Sequence, residues 1–226
     1  MVYHHAPLGE KSSVCAELHK ILECAKISCG RAIRGRNARS IILLGNKGER
    51  LTMLLNEIGS VAQGEGFLVS NVRSPDHNGL ACLLYPEMVN TLHLLSSADA
   101  ASQVATCGLR GLRGFASAFS IEPLESEIGI QPEPGYADSG DLQRDIPNIF
   151  EIIGQSAKIA GKGWVLLIEE LQSFTQSDLS ALIASMHRVS QCQLPVVLIG
   201  AGRPQVTRLV GAAKSYAERL FSFHEV

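Results

Sequence analysis

Apolar residues along the chain fall into two alternating patterns, short continuous runs and stripes with helical spacing. Continuous runs are typical of strands buried on both faces, whereas apolar residues three and four positions apart predict amphipathic helices. The runs predict strands at 39–45, 67–72, 164–168 and 194–200, and a fifth strand that starts at Phe221. The stripes predict helices over 10–34, 51–62, 146–157, 175–189 and 206–220. Residues 80–113 are helical in tendency, interrupted by Pro86 and by glycines.

Strands that alternate with helices favour right-handed crossovers and a sheet covered on both faces. We therefore predict an α/β fold of three layers with a mainly parallel sheet. Ligands of such sheets bind outside the carboxyl ends of the strands. Those ends are Gly45, the pair Glu169 and Glu170, and residues 200–202. We expect Gly45 and Glu169 to lie close together, on strands that are adjacent or separated by one strand.

In the stretch between the two halves of this strand–helix pattern, the apolar residues recur with no clear period. Residues 115–130 are compatible with a hairpin or an irregular arm. Residues 131–135 contain two prolines and a glycine, which is typical of a turn. Because residues 120–140 are rich in acidic side chains, burial would be costly, and we expect a protruding, mobile segment.

Composition excludes several classes of protein. Hydrophobic residues make up 46% of the 226 residues and charged residues 19%, so a packed core is expected rather than disorder. Aromatic residues are only 5%, which argues against a stacking surface for single-stranded nucleic acid. No apolar run is long enough to span a bilayer and no signal peptide is visible, so the sequence predicts a cytoplasmic protein without membrane contact. The six cysteines lack metal-ligand spacing and are expected to be reduced.

The net charge of −2 provides no field over the whole protein that would attract nucleic acid. Four arginines lie within residues 31–39, however. Two interpretations stay open for them: a surface that faces phosphate, or a solvated helix end, since cations favour a helix C-terminus.

The loop between the first strand and the second helix is nearly a phosphate-binding loop. The P-loop pattern is G-x-x-x-x-G-K-[ST], and Gly45 to Thr52 reads GNKGERLT. Gly45 and Thr52 match, but Arg50 replaces the second glycine and Leu51 replaces the lysine. The glycine lets backbone approach phosphate, and the lysine bridges the outer phosphates, so both replacements weaken the site.

Two acids after the third strand have the form of a Walker B motif. Four apolar residues at 165–168 precede Glu169 and Glu170. In this pattern the first acid serves magnesium and the second orients water. The alternative is that the two acids simply cap a buried strand. The upstream strand–loop–helix motif favours the nucleotide site.

Over roughly residues 30–226 the chain resembles bacterial AAA-type ATPases of the origin-recognition-like group. The resemblance is carried together by residues 36–45, 53–59, 132–145, 166–172, 184–191, 194–205 and 214–221. It implies a P-loop NTPase core at 36–226, preceded by a helical segment at 1–35. The family continues into a helical lid, which we expect to be absent here because the sequence stops at Val226.

The resemblance also implies an ATP and Mg²⁺ site. Glu170 and Arg219 would be catalytic, the arginine acting across a subunit interface, with Arg203 a weaker candidate for that role and a plain salt bridge as the alternative for Arg219. Thr52 and Glu169 would bind the metal. The strand at 198–202 would be the sensor strand, although it offers no polar side chain at 200–201. The nucleotide-binding residues would be Gly45, Asn46, Lys47, Gly48, Glu49, Arg50, Leu51 and Thr52.

Three functions compete at this point. The first is an ATP-binding protein of the AAA type with weak or no hydrolysis, because the P-loop glycine and lysine are replaced. The second is a working ATPase in which Lys47 or Arg50 substitutes for the missing lysine. The third is a non-enzymatic interaction module, or a truncated relic, that keeps the fold without the nucleotide. A homo-oligomer or a protein partner is compatible with each, and DNA binding rests on the family analogy alone.

Overall fold

A computed structural model describes residues 8–46, 48–73, 79–214 and 216–226, with the backbone alone for 8–15 and 49. Five strands form its sheet: β1 (Ser40–Leu44), β2 (Phe67–Val72), β3 (Gly163–Ile168), β4 (Val196–Gly202) and β5 (Phe221–Glu225). The helices are α1 (Leu8–Ile33), α2 (Glu49–Gly64), α3 (Leu80–Ser96), α4 (Ser102–Ala118), α5 (Leu142–Ile159), α6 (Gln176–Gln191), α7 (Val206–Ala213) and the single turn α8 (Ala217–Leu220).

All neighbouring strands are parallel, in the order β2-β3-β4-β1-β5. The predicted α/β class with a parallel sheet is therefore confirmed. β4 lies between β1 and β3, so the expected separation of those strands by at most one strand is also confirmed. Parallel alignment places the carboxyl ends of the strands at one edge, where Gly45 and Glu169 follow β1 and β3.

The sheet is buried on both faces because successive strand residues point to opposite sides. On one face Ile41 and Leu43 pack with α1 and α2. On the other face Ile42 and Leu44 belong to a larger cluster with α3 to α8. The helical segment predicted at 1–35 thus contains a helix, α1, that covers part of the first face.

The interrupted helical region at 80–113 is two helices. Pro86 lies inside α3, and the glycines expected to interrupt the helix lie inside α4. A Cβ atom at Gly108 would approach Ile152 Cγ2 to 2.5 Å, so the glycine allows α4 to pack closely on α5. The predicted helix over 206–220 is also divided, into α7 and α8. The capping box of Thr175 and Asp178 at the start of α6 is present as predicted.

The segment after α4 is irregular, so the hairpin alternative for 115–130 is wrong. Most side chains of residues 120–140 are exposed, as expected, but Glu127 and Ala137 are fully buried. Glu127 accepts a hydrogen bond from the Tyr85 hydroxyl, and burial together with this carboxylate raises the pKa of Tyr85. The Tyr136 hydroxyl donates to the carbonyl of Asn148, 3.0 Å away. These contacts hold against the core a segment that we expected to protrude freely.

Candidate functional site

A cavity of about 440 Å³ opens at the carboxyl edge of the sheet, between the ends of β1, β3 and β4. Its volume falls within the range of small-molecule sites, roughly 300–1,000 Å³. The structure brings together there most of the residues predicted for a nucleotide site. The lining residues are Gly45, Gly48, Leu51, Thr52, Met53, Leu55, Glu169, Glu170, Gln172, Ala201, Gly202 and Arg203.

The remaining residues of the predicted loop lie elsewhere. Asn46 is exposed and lines a separate groove beside Val226. Arg50 is exposed in the first turn of α2. Lys47 lies outside the described residues, and Glu49 is described by its backbone only.

Gly45 is required by packing. A Cβ atom at this position would lie 3.0 Å from the carbonyl oxygen of Val226 and 3.3 Å from Leu51 Cδ1. The Gly45 N–H donates to the carbonyl of Gly202, 3.0 Å away, and so extends the pairing of β1 with β4. The glycine therefore joins strand and helix closely, while its amide is engaged within the sheet.

Leu51, at the lysine position of the P-loop, is 8% exposed. It packs with Leu54, Leu55 and the α1-facing side of β1. Its side chain lies against Gly45 and forms part of the apolar wall of the cavity. An apolar side chain donates no hydrogen bond to phosphate, so the position contributes packing instead of charge.

Glu169 connects two other elements of the sheet edge. One carboxylate oxygen, Oε2, accepts a hydrogen bond from Thr52 Oγ1 at 3.3 Å. The other oxygen, Oε1, forms an ion pair with Arg73 Nε at 3.1 Å. Thr52 and Glu169 are therefore in contact, as a shared metal site requires, but the carboxylate already has a hydroxyl and a guanidinium as partners.

Glu170 begins the turn after β3 in a left-handed backbone conformation, with φ 55°. Its Oε2 accepts a hydrogen bond from Gln172 Nε2 at 2.8 Å. Gln172 Oε1 in turn accepts from the Arg203 amide at 3.0 Å. Gln172 thus orients the acid predicted to position water and ties it to the end of β4.

Arg219 is not part of this cavity. It lies in α8, just before β5, and Phe221 at the start of β5 is level with Ser40 at the start of β1. Since the strands are parallel, Arg219 is at the amino edge of the sheet, opposite Gly45 and Glu169. Its side chain is exposed, on the far side of the sheet from the cavity of its own chain.

The sequence patterns did not identify Arg73 and Gln172. Arg73 directly follows β2, and Gln172 lies three residues after Glu169. The rule that sites form outside the carboxyl ends of strands applied to β2 as well, and it would have identified Arg73. Gln172 follows no such rule, because its role depends on the path of the turn after β3.

Magnesium fits this donor set poorly because the carboxylate is already paired. Thr52 and Glu169 are residue types that would hold Mg²⁺ together with phosphate and water oxygens at about 2.0–2.1 Å, but Glu169 is bonded to the Thr52 hydroxyl and to the Arg73 guanidinium. Among the described residues, no group of three or more His, Cys, Asp or Glu side chains is arranged to hold a metal ion. The nucleotide itself fits better, because the cavity has the required volume and walls that are largely apolar.

Comparison with known proteins gives a weak structural likeness. No family model matches the chain, and no curated protein matches it. A solved structure described as "Structure of Drosophila ORC bound to AT-rich DNA and Cdc6" is similar, with a TM-score of 0.40 and 14% identity. The match covers 98% of this chain and 61% of that one, so the chain spans less than two thirds of its length.

None of the described helices combines the length and the apolar character needed to cross a membrane.

Proposed function

We propose that this chain is a nucleotide-binding module of the AAA type that hydrolyses ATP weakly or not at all. The observation that carries the proposal is the convergence of Gly45, Thr52 and Glu169 on one cavity at the carboxyl edge of the sheet. These residues come from two motifs more than 100 positions apart in sequence, and each was predicted for this site from its own motif.

Weak hydrolysis follows from the charges around the cavity. Phosphoryl transfer depends on cations that stabilise charge developing on the transferred group. Leu51 is buried and apolar at the position of the cationic lysine. Glu170 lines the cavity and would orient water, but at position 51 the developing charge would meet an apolar side chain instead of a cation.

An arginine supplied by another subunit would complete such a site. The exposed Arg219, at the opposite edge of the sheet, is compatible with this role in a homo-oligomer. No contact among the described residues gives further support for binding of a protein partner or DNA.

Calorimetric titration of the full chain with ATP and with ADP tests the proposal. We expect saturable binding of both nucleotides and a turnover far below about 1 s⁻¹, the low end of typical enzymes. The variant Met53→Trp should weaken binding at least tenfold, because Met53 is 69% exposed and lines the cavity mouth. The matched control is Ile27→Trp, an exposed apolar residue of α1 outside the cavity, which should bind like the wild type.

Two results would contradict this function. Absence of binding for either nucleotide at millimolar concentration would favour the non-enzymatic interaction module. One specific observation favours that alternative. Leu51 packs in the core and the Gly45 amide donates to a carbonyl of the sheet, so both groups already have partners within the protein. Hydrolysis at ordinary enzymatic rates would instead favour a working ATPase with a substitute cation.

A further inference from the structure

The position of Arg73 is fixed by the pairing of β2 with β3. Val72 and Ile168 are register partners at the ends of these strands, and Arg73 and Glu169 are the next residues of each. The Glu169 amide donates to the carbonyl of Val72 at 2.9 Å, which continues the ladder to this point. Strand register therefore places Arg73 beside Glu169, within reach of the ion pair.

This ion pair takes the carboxylate expected to serve a metal ion, because Glu169 lines the cavity and Arg73, which does not line it, reaches that carboxylate from the end of the neighbouring strand. In the P-loop pattern, a threonine hydroxyl and the first acid of the Walker B pair serve one cation. Here Thr52 and Glu169 are joined directly at 3.3 Å, and the guanidinium of Arg73 takes the other carboxylate oxygen at 3.1 Å. A divalent ion would have to displace one or both of these donors.

We infer that Arg73 replaces magnesium, so that the cavity binds nucleoside di- and triphosphates free of divalent metal. This inference rests on the proposed function. Guanidinium is a permanent cation with planar donors that match phosphate oxygens, so it recognises phosphate without a metal. The Arg73 side chain is 64% exposed, so donors other than its Nε remain accessible, whereas the Glu169 side chain is only 23% exposed.

The same arrangement explains how binding and hydrolysis separate. A guanidinium next to Glu169 neutralises the carboxylate that would otherwise repel phosphate. It does not provide the open coordination positions with which magnesium orients phosphate oxygens. The site therefore retains affinity and loses the metal-dependent part of catalysis.

Titration of the wild-type full chain with ATP in EDTA, and again in excess MgCl₂, tests this inference. We expect dissociation constants within about threefold of each other, which is less than about 0.7 kcal/mol. Binding in MgCl₂ with at least a tenfold loss in EDTA would overturn the role of Arg73 and leave the proposed function standing. No binding under either condition would overturn both.

Variants of Arg73 distinguish a phosphate contact from a structural role. Arg73→Gln should weaken binding at least tenfold in EDTA, and MgCl₂ should recover part of the loss because Glu169 is then free for metal. Arg73→Lys should retain most of the metal-free binding. The matched control is Arg144→Gln, an exposed arginine in the first turn of α5 that does not line the cavity, and it should change neither titration.

Thermal melting of each variant accompanies the titrations. Because Arg73 is mostly exposed, the melting temperatures should match that of the wild type. If Arg73→Gln folds like the wild type and binds ATP as tightly as the wild type, both in EDTA and in MgCl₂, the inference is wrong.

Discussion

The hydroxyl of Thr52 donates to the carboxylate of Glu169 at 3.3 Å, although the two residues are 117 positions apart. Thr52 lies in the first turns of α2, after β1, and Glu169 follows β3. β4 separates the two strands in the sheet, so the contact spans the end of that strand. It is the point at which the two halves of the predicted nucleotide motif meet.

Restoring the P-loop residues should increase nucleotide affinity. In the variant Arg50→Gly/Leu51→Lys, the glycine frees the loop backbone and the lysine adds a charge-assisted contact to phosphate. Such a hydrogen bond contributes about 1.5–3 kcal/mol, so calorimetry should show a tenfold or greater gain. Hydrolysis need not return, since residues 200–201 still lack a polar sensor side chain.

The burial of Leu51 adds a cost to this variant. Replacing a side chain that is 8% exposed should lower the free energy of unfolding by about 1–3 kcal/mol. The control is Arg50→Gly alone, which keeps Leu51 and should show little of the affinity gain. If the wild type hydrolyses ATP at ordinary rates and Leu51→Lys changes nothing, Lys47 or Arg50 supplies the cation instead.

Tyr85→Phe should destabilise the fold. The variant removes the hydrogen bond to Glu127, which is fully buried and holds the segment after α4. Loss of a partner for a buried charged group costs about 1–3 kcal/mol, measurable by urea unfolding. Tyr216→Phe is the control, because no hydroxyl hydrogen bond is found for Tyr216 in the described structure. Equal effects of the two variants on the free energy of unfolding would show that the Tyr85–Glu127 contact does not stabilise the fold.

Stability should fall at alkaline pH, in part through Cys29. Burial raises the pKa of this thiol from 9.0 to about 12. Between these values the unfolded chain loses the proton while the folded chain keeps it, so stability falls as pH rises through the window, by about 1.4 kcal/mol per pH unit at most. Unfolding of the wild type and of Cys29→Ala, from pH 8 to 11, should show a smaller slope for the variant. Parallel curves would contradict this contribution.

Gly108→Ala should destabilise the contact between α4 and α5. The added methyl group would meet Ile152 Cγ2 at 2.5 Å and Leu92 Cδ1 at 2.9 Å, so the helices must shift. Overpacking of this kind costs about 1–3 kcal/mol. In the control Gly211→Ala, a Cβ atom meets nothing within 4 Å, and helix propensity should raise stability by up to about 1 kcal/mol. Thermal melts of both variants measure the difference, and shifts in the same direction would refute the packing argument.

Several features of this protein follow from its sequence alone. The order of strands and helices can be read from the sequence. A helix buried on one face spaces its apolar residues three and four apart, whereas a strand buried on both faces gives a continuous apolar run. The carboxyl ends of β1 and β3 are recognisable because Gly45 and the acids at 169–170 interrupt apolar runs. Local rules also identify the start of α6, where Thr175 and Asp178 satisfy each other's backbone amides. Each of these depends on residues near one another in the chain.

Only the tertiary structure decided what each residue contacts across the sheet. Strand order placed β2 beside β3, and this alone gave Glu169 an arginine partner at Arg73. The direction of β5 placed Arg219 at the edge opposite the cavity. The buried Glu127 receives a hydrogen bond on one carboxylate oxygen from a tyrosine 42 positions away. A sequence pattern records local periodicity, whereas register and long-range pairing are set by packing between segments that carry no local signal of their partner.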